Sequence, residues 1–305
     1  MENAAQHYSH IRKVLVLILG LNWTVAIAKI IYGLFSHCES MTADGFHSLS
    51  DGTSNIIGIV GINLACQPTD KDHPYGHKKY ETLFSLAIAA LLFFLAFNLA
   101  KEGIIHLRQP LTPEANLMSF LVMIITMAIN FWVMNYESKK GKVLKSDILV
   151  SDAMHTKADI FTSFSVIISL VAIKLGFPIV DPIVTIIISL FIAHAGYDIV
   201  KESSAVLCDT AAILDEKKIT DIVLGIKGVK TCHKIRSRGR PDDIYLDLHV
   251  LVHPDMHVDN AHKISNEIEG ALKKGIPEIT DVIVHIEPKE KTSNTLEDEP
   301  ETDRS

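Results

Sequence analysis

Residues 44–51 read DGFHSLSD and residues 152–159 read DAMHTKAD, so the chain carries the pattern D-x-x-H-[ST]-x-x-D twice. Ser54 and Thr162 extend the correspondence. Steps of three and four residues put the two aspartates and the histidine of each copy on one helical face. Each copy sits within an apolar stretch long enough for a bilayer, whose core of about 30 Å takes about 20 residues. Six such stretches occur, at 14–36, 41–66, 82–104, 115–135, 149–174 and 182–200. The sequence therefore predicts a polytopic α-helical membrane protein with six transmembrane helices, the repeated polar pattern lying in spans two and five.

The surroundings agree. Of 305 residues, 48% are hydrophobic and 21% charged, and the mean hydropathy is +0.24. A disordered chain, a collagen-like fibre and a small disulfide scaffold are excluded. The net charge of −7 lacks the basic stripe that nucleic acid would need, so no nucleic-acid partner is expected. Cys38, Cys66, Cys208 and Cys232 form no C-x-x-C pair. The first span follows Arg12 and Lys13 without a small-residue cleavage site, and reads as a retained helix. Nine Lys and Arg residues fall in the amino terminus and the 67–80 and 136–148 loops; the opposite loops hold Lys101, Arg108 and Lys174. That bias predicts both termini in the cytoplasm of a cell carrying the protein in its inner membrane.

Aspartate at the centre of a membrane helix costs about 2.5–3.5 kcal/mol. Two helices with carboxylates and imidazoles on one stripe need compensation, and a divalent cation between them neutralises both carboxylates at once. His47 and Asp51 with His155 and Asp159 offer two nitrogens and two oxygens, which suits tetrahedral Zn2+. Co2+, Fe2+ and Cd2+ stay open, because sites select by geometry and availability. Asp44 and Asp152, one turn earlier, are either entry and exit ligands or helix amino-terminal acids favoured by the dipole. Lys29 in span one is read more readily as a snorkelling or paired base than as a functional one.

These residues resemble the cation diffusion facilitator family of divalent-metal transporters, bacterial zinc and ferrous-iron efflux proteins above all. The segment DKDHPYGHKKYE at 70–81 is similar to that family's D-x-x-H-x-x-G-H-G-K-x-E pattern, departing at Lys78, where glycine is usual. The resemblance implies a second metal site at Asp70, His73 and His77, although an H-x-x-x-H loop alone reads equally as hydrated surface. It also implies a salt bridge of Lys79 with Asp209 that holds two protomers together.

After about residue 205 the pattern changes. A short helix at 214–226, strands at 229–238 and 242–252, a helix at 258–274 capped by Asp259 or Asn260, and a strand at 279–287 predict a small α+β domain. The resemblance implies a cytosolic, metallochaperone-like (ferredoxin-like) domain that forms a homodimer. It also implies that His233, His249, His262, His285 and Glu287 bind regulatory metal. His253 and His257 read as solvated loop residues. The expected organisation is a transport domain at 1–204, a sensing domain at 205–288 and a disordered acidic tail at 289–305.

A ligating imidazole cannot keep a proton on its bound nitrogen. The pattern thus predicts Zn2+ export by proton antiport with alternating access, spans two and five forming the gate. Fe2+, Cd2+, Co2+ or Mn2+ are alternative cargoes, and a non-transporting membrane metal sensor is the alternative role. An enzyme is not expected, since no H-E-x-x-H occurs in the spans. An organic-cation carrier needs aromatic walls, and aromatics are only 7%.

Overall fold

The computed structural model describes residues 2–35, 46, 48–49, 51–108, 117–174, 177, 179–213 and 215–289. Asp44, His47 and the acidic tail lie outside the described residues, apart from Lys289. The chain divides into two compact units between Cys208 and Asp209. The first contains helices α1 (Glu2–Phe35), α2 (Thr53–Ala65), α3 (Lys79–Arg108), α4 (Leu117–Val143), α5 (Asp147–Lys174) and α6 (Val180–Leu207). Phe46, Ser48, Leu49 and Asp51 are also helical, ahead of α2. The last helix thus covers the apolar stretch at 182–200 and runs on to Leu207.

Helices α1, α3, α4 and α6 are long and apolar enough to cross a membrane. The repeated polar pattern falls ahead of α2 and on α5. It puts Asp51 before α2 and Asp152, Lys157 and Asp159 within α5. Their insertion depends on burying those groups inside the bundle.

Glycines let α2 do so. A Cβ on Gly58 would stand 2.9 Å from Ile148 Cγ2, and one on Gly61 would stand 2.6 Å from Phe84 Cβ. Three residues apart on one face, they bring α2 against α3 and α5 as closely as small residues allow in membrane helices. Ile11, Leu15, Ile18, Ile62, Ile88, Ile148 and Leu149 fill the space around them. At the turn joining α4 to α5, Ser146 Oγ donates to Glu81 Oε1, and Thr82 Oγ1 donates to Asp147 Oδ2 at 2.7 Å. These bonds tie the start of α3 to the start of α5.

The second unit contains α7 (Glu216–Leu224), β1 (Thr231–Arg240), β2 (Asp243–Val252), α8 (Val258–Gly275) and β3 (Ile279–Pro288). The sheet order is β1-β2-β3, with β1 antiparallel and β3 parallel to the central strand. Leu246, Leu248 and Val250 face the helices and pack with Ile219, Val223, Ile264, Ile268 and Leu272. Strand alternation then sends Tyr245, Asp247 and His249 to the opposite face. His257, a solvated loop residue as expected, also caps α8, its side chain accepting from the Asp259 backbone N–H at 3.3 Å. The cap therefore sits ahead of the Asp259 or Asn260 expected from sequence.

Candidate metal centres

Helical spacing builds the first centre. Asp51 precedes α2, while His155 and Asp159 lie four residues apart on α5. One ligand atom from each falls within 4.8 Å of the other two. His155 is 8% exposed, and Asp51 and Asp159 are half-buried. The three side chains line a cavity of about 240 Å³, roomy enough for an ion with several waters at about 30 Å³ each. Lys29, expected as a snorkelling or paired base, lines the same cavity. It is 7% exposed and its Nζ donates to Ser48 Oγ at 2.9 Å. Two carboxyl groups, an imidazole and an amine thus converge on one cavity.

Asp152 lies outside that trio. It is 1% exposed and accepts from Asn55 Nδ2, whose Oδ1 in turn accepts from Asn22 Nδ2 at 3.2 Å. Glu137 is not among the ligands expected from sequence, because the fourth apolar stretch closes at 135. It is fully buried and accepts from Thr156 Oγ1 at 3.1 Å. Helix α4 continues to Val143, so Lys139, Lys140 and Lys142 ride its last turns, not a loop. Three clustered lysines disguise a helix end as a connection. The asparagines Asn22 and Asn55, polar in apolar runs, are the sequence signal for the rest of this network.

A loop builds the second centre. Asp70 Oδ1 accepts the backbone N–H groups of Asp72 at 2.9 Å and His73 at 2.6 Å, which folds the segment back on itself. His73 Nδ1 lies 3.2 Å from Asp70 Oδ1 and His77 Nε2 lies 3.4 Å from Asp70 Oδ2. The imidazole centroids are 4.2 Å apart, and ligand atoms of all three residues fall within 4.8 Å. The His73 backbone bond, ahead of the charges of His73 and His77, holds the Asp70 carboxyl below the usual carboxylate range.

Sheet register builds the third. His233 on β1 pairs with His249 on β2, which pairs with His285 on β3, so three imidazoles form a row across the strands. Glu287 joins two of them: His249 Nδ1 is 2.8 Å from Oε1 and His233 Nε2 is 3.3 Å from Oε2. His285 Nε2 lies 3.6 Å from Oε1. The hydrogen bond from His249, reinforced by His249, His233 and Lys234 charges, holds the Glu287 carboxyl below its ordinary value. Ligand atoms of His233, His249 and Glu287 fall within 4.8 Å. His262 does not join them within one chain. It is exposed on α8, near Asn266 Nδ2 at 3.2 Å, and α8 covers the other face of the sheet. Cys232 packs toward the core, and Asp209 Oδ2 lies 3.8 Å from Arg238 Nη1.

An imidazole–carboxylate centre inside a helical bundle, with further nitrogen and oxygen sets on a loop and a sheet, defines a membrane carrier of divalent metal. The chain belongs to the cation efflux family, the cation diffusion facilitators: residues 15–208 match its transmembrane domain and residues 214–289 its cytoplasmic domain. It is 30% identical to an uncharacterized transporter of Methanocaldococcus jannaschii over 91% of this chain and 98% of that one. It is 30% identical to the manganese efflux system protein MneS of Bacillus subtilis, covering 86% and 90% of the two chains. Metal tolerance protein C1 of Arabidopsis thaliana is 28% identical over 88% of this chain and 61% of its own length. The protein is thus a multi-pass membrane transporter of divalent metal cations and not an enzyme.

Proposed function

We propose that the chain exports Zn2+ from the cytoplasm across the cell membrane in exchange for protons, with both termini cytoplasmic. The convergence of Asp51, His155 and Asp159 within 4.8 Å carries this reading, with His47 as the fourth ligand. Imidazole suits zinc, and it binds either a metal or a proton at one nitrogen. Opening toward a more acidic compartment protonates the histidines and expels the cation. Opening toward the cytoplasm releases the protons and readmits metal. Spans two and five form the gate, with Asp44 at its edge.

The loop set Asp70, His73 and His77 captures metal near the membrane. The sheet row His233, His249, His285 and Glu287, with His262, senses cytosolic load in a homodimer held partly by Lys79 and Asp209. Metal there shifts the conformational equilibrium only by its differential affinity for the two states. The name of MneS favours Mn2+ as a second cargo. Zinc uptake into proteoliposomes under a pH gradient tests the reading. Gradient-driven uptake is expected from the wild-type chain and not from His155→Ala, and equal rates in both would contradict it.

A further inference from the structure

The network around Asp152 contains a second pair of acids that the transport centre does not use. Glu137 on α4 and Asp152 on α5 are both buried, at 0% and 1% exposure. Thr156 Oγ1 links them, lying 3.1 Å from Glu137 Oε2 and 3.2 Å from the Asp152 backbone oxygen. One oxygen of each is already satisfied, Glu137 Oε2 by Thr156 and Asp152 Oδ2 by Asn55. The other two, Glu137 Oε1 and Asp152 Oδ1, are buried and have no hydrogen-bond partner among the described residues. A buried carboxyl oxygen without a donor takes a proton or a cation as its partner.

We propose that Glu137 and Asp152 hold a divalent cation in an all-oxygen site, one helical turn before the imidazole-containing centre along α5. Asp152 precedes His155 by three residues, a rise of about 4.5 Å. A cation passing between the two sites moves by about one turn of one helix. Thr156 serves both: its hydroxyl donates to Glu137 and it lines the transport cavity. Oxygen donors alone suit hard ions such as Mn2+, whereas imidazole suits Zn2+. The site therefore admits hard dications to a pathway whose main centre favours softer ones. This inference rests on the transport reading and adds a discrimination step to it.

The test measures Mn2+ and Zn2+ uptake by the full-length chain in the same proteoliposomes. Glu137→Gln is expected to lower Mn2+ uptake about tenfold or more and Zn2+ uptake less than about threefold. Asp152→Asn should follow the same pattern, and Glu137→Asp, which keeps a carboxylate, should recover part of the Mn2+ rate. A Mn2+ to Zn2+ ratio unchanged by Glu137→Gln would overturn the inference, whether both rates fall together or neither moves. Absence of any metal uptake by the wild-type chain would overturn the transport reading beneath it.

Discussion

The membrane centre and the sheet row gather similar ligands by opposite means. Asp51, His155 and Asp159 meet because helices place residues four apart on one face and because Gly58 and Gly61 let α2 approach its neighbours. His233, His249 and His285 meet because strand register aligns them, one per strand. The consequences differ. In the membrane, His155 is 8% exposed, and an uncompensated charge there is penalised by the bundle itself. On the sheet, His249 and Glu287 are 23% and 31% exposed and water shares their charge. The membrane centre needs a cation to compensate its carboxyls, which suits the proposed exchange. An accessible centre can stand empty or filled, which suits sensing.

The sharpest way to break the contrast is to remove a membrane ligand. Asp159→Asn should lower zinc flux by about 100-fold or more and leave metal binding at the sheet row unchanged. Parallel loss at both would contradict two independent centres. Next in size, Glu287→Gln should weaken metal binding to the sheet row by about tenfold, because the carboxylate joins His233 and His249. Titration of the full-length chain, with flux measured alongside, would show whether the membrane centre is spared.

Much of this contrast is legible in the sequence. The repeat at 44–51 and 152–159 marks the membrane ligands because helical period and an apolar surround leave few other roles for Asp and His. The alternation of Ile244, Leu246, Leu248 and Val250 assigns His249 to the outer face of its strand. Residues whose role depends on where a helix ends or which neighbour arrives stay hidden. Glu137 is obscured by the lysines on the last turns of α4, and Lys29 by the many ways a basic residue is accommodated near a helix end. His262 shares its chemistry with the sheet histidines, but only the packing of α8 reveals that the sheet stands between them.

Smaller effects sharpen the comparison further. Glu287 is held below the ordinary carboxylate value, so its pairing stabilises the fold fully above its unfolded pKa of about 4.3. That contribution is lost as pH falls through the lowered folded value. The difference in denaturant midpoint between wild type and Glu287→Gln should shrink as the solution is acidified through about pH 4.3 and below. Smallest of all, His257→Ala removes the cap of α8 and should destabilise the soluble unit by about 1 kcal/mol. Thermal unfolding monitored on that unit within the intact protein measures it, and zinc flux should not change.

The most direct measurement is a calorimetric zinc titration of the chain carrying His73→Ala, His77→Ala, His249→Ala and His285→Ala. With loop and sheet disabled, one zinc per chain should remain, and adding Asp159→Asn should abolish it. A chain that retains no zinc, or whose remaining zinc survives Asp159→Asn, would contradict a metal held between α5 and the residues preceding α2.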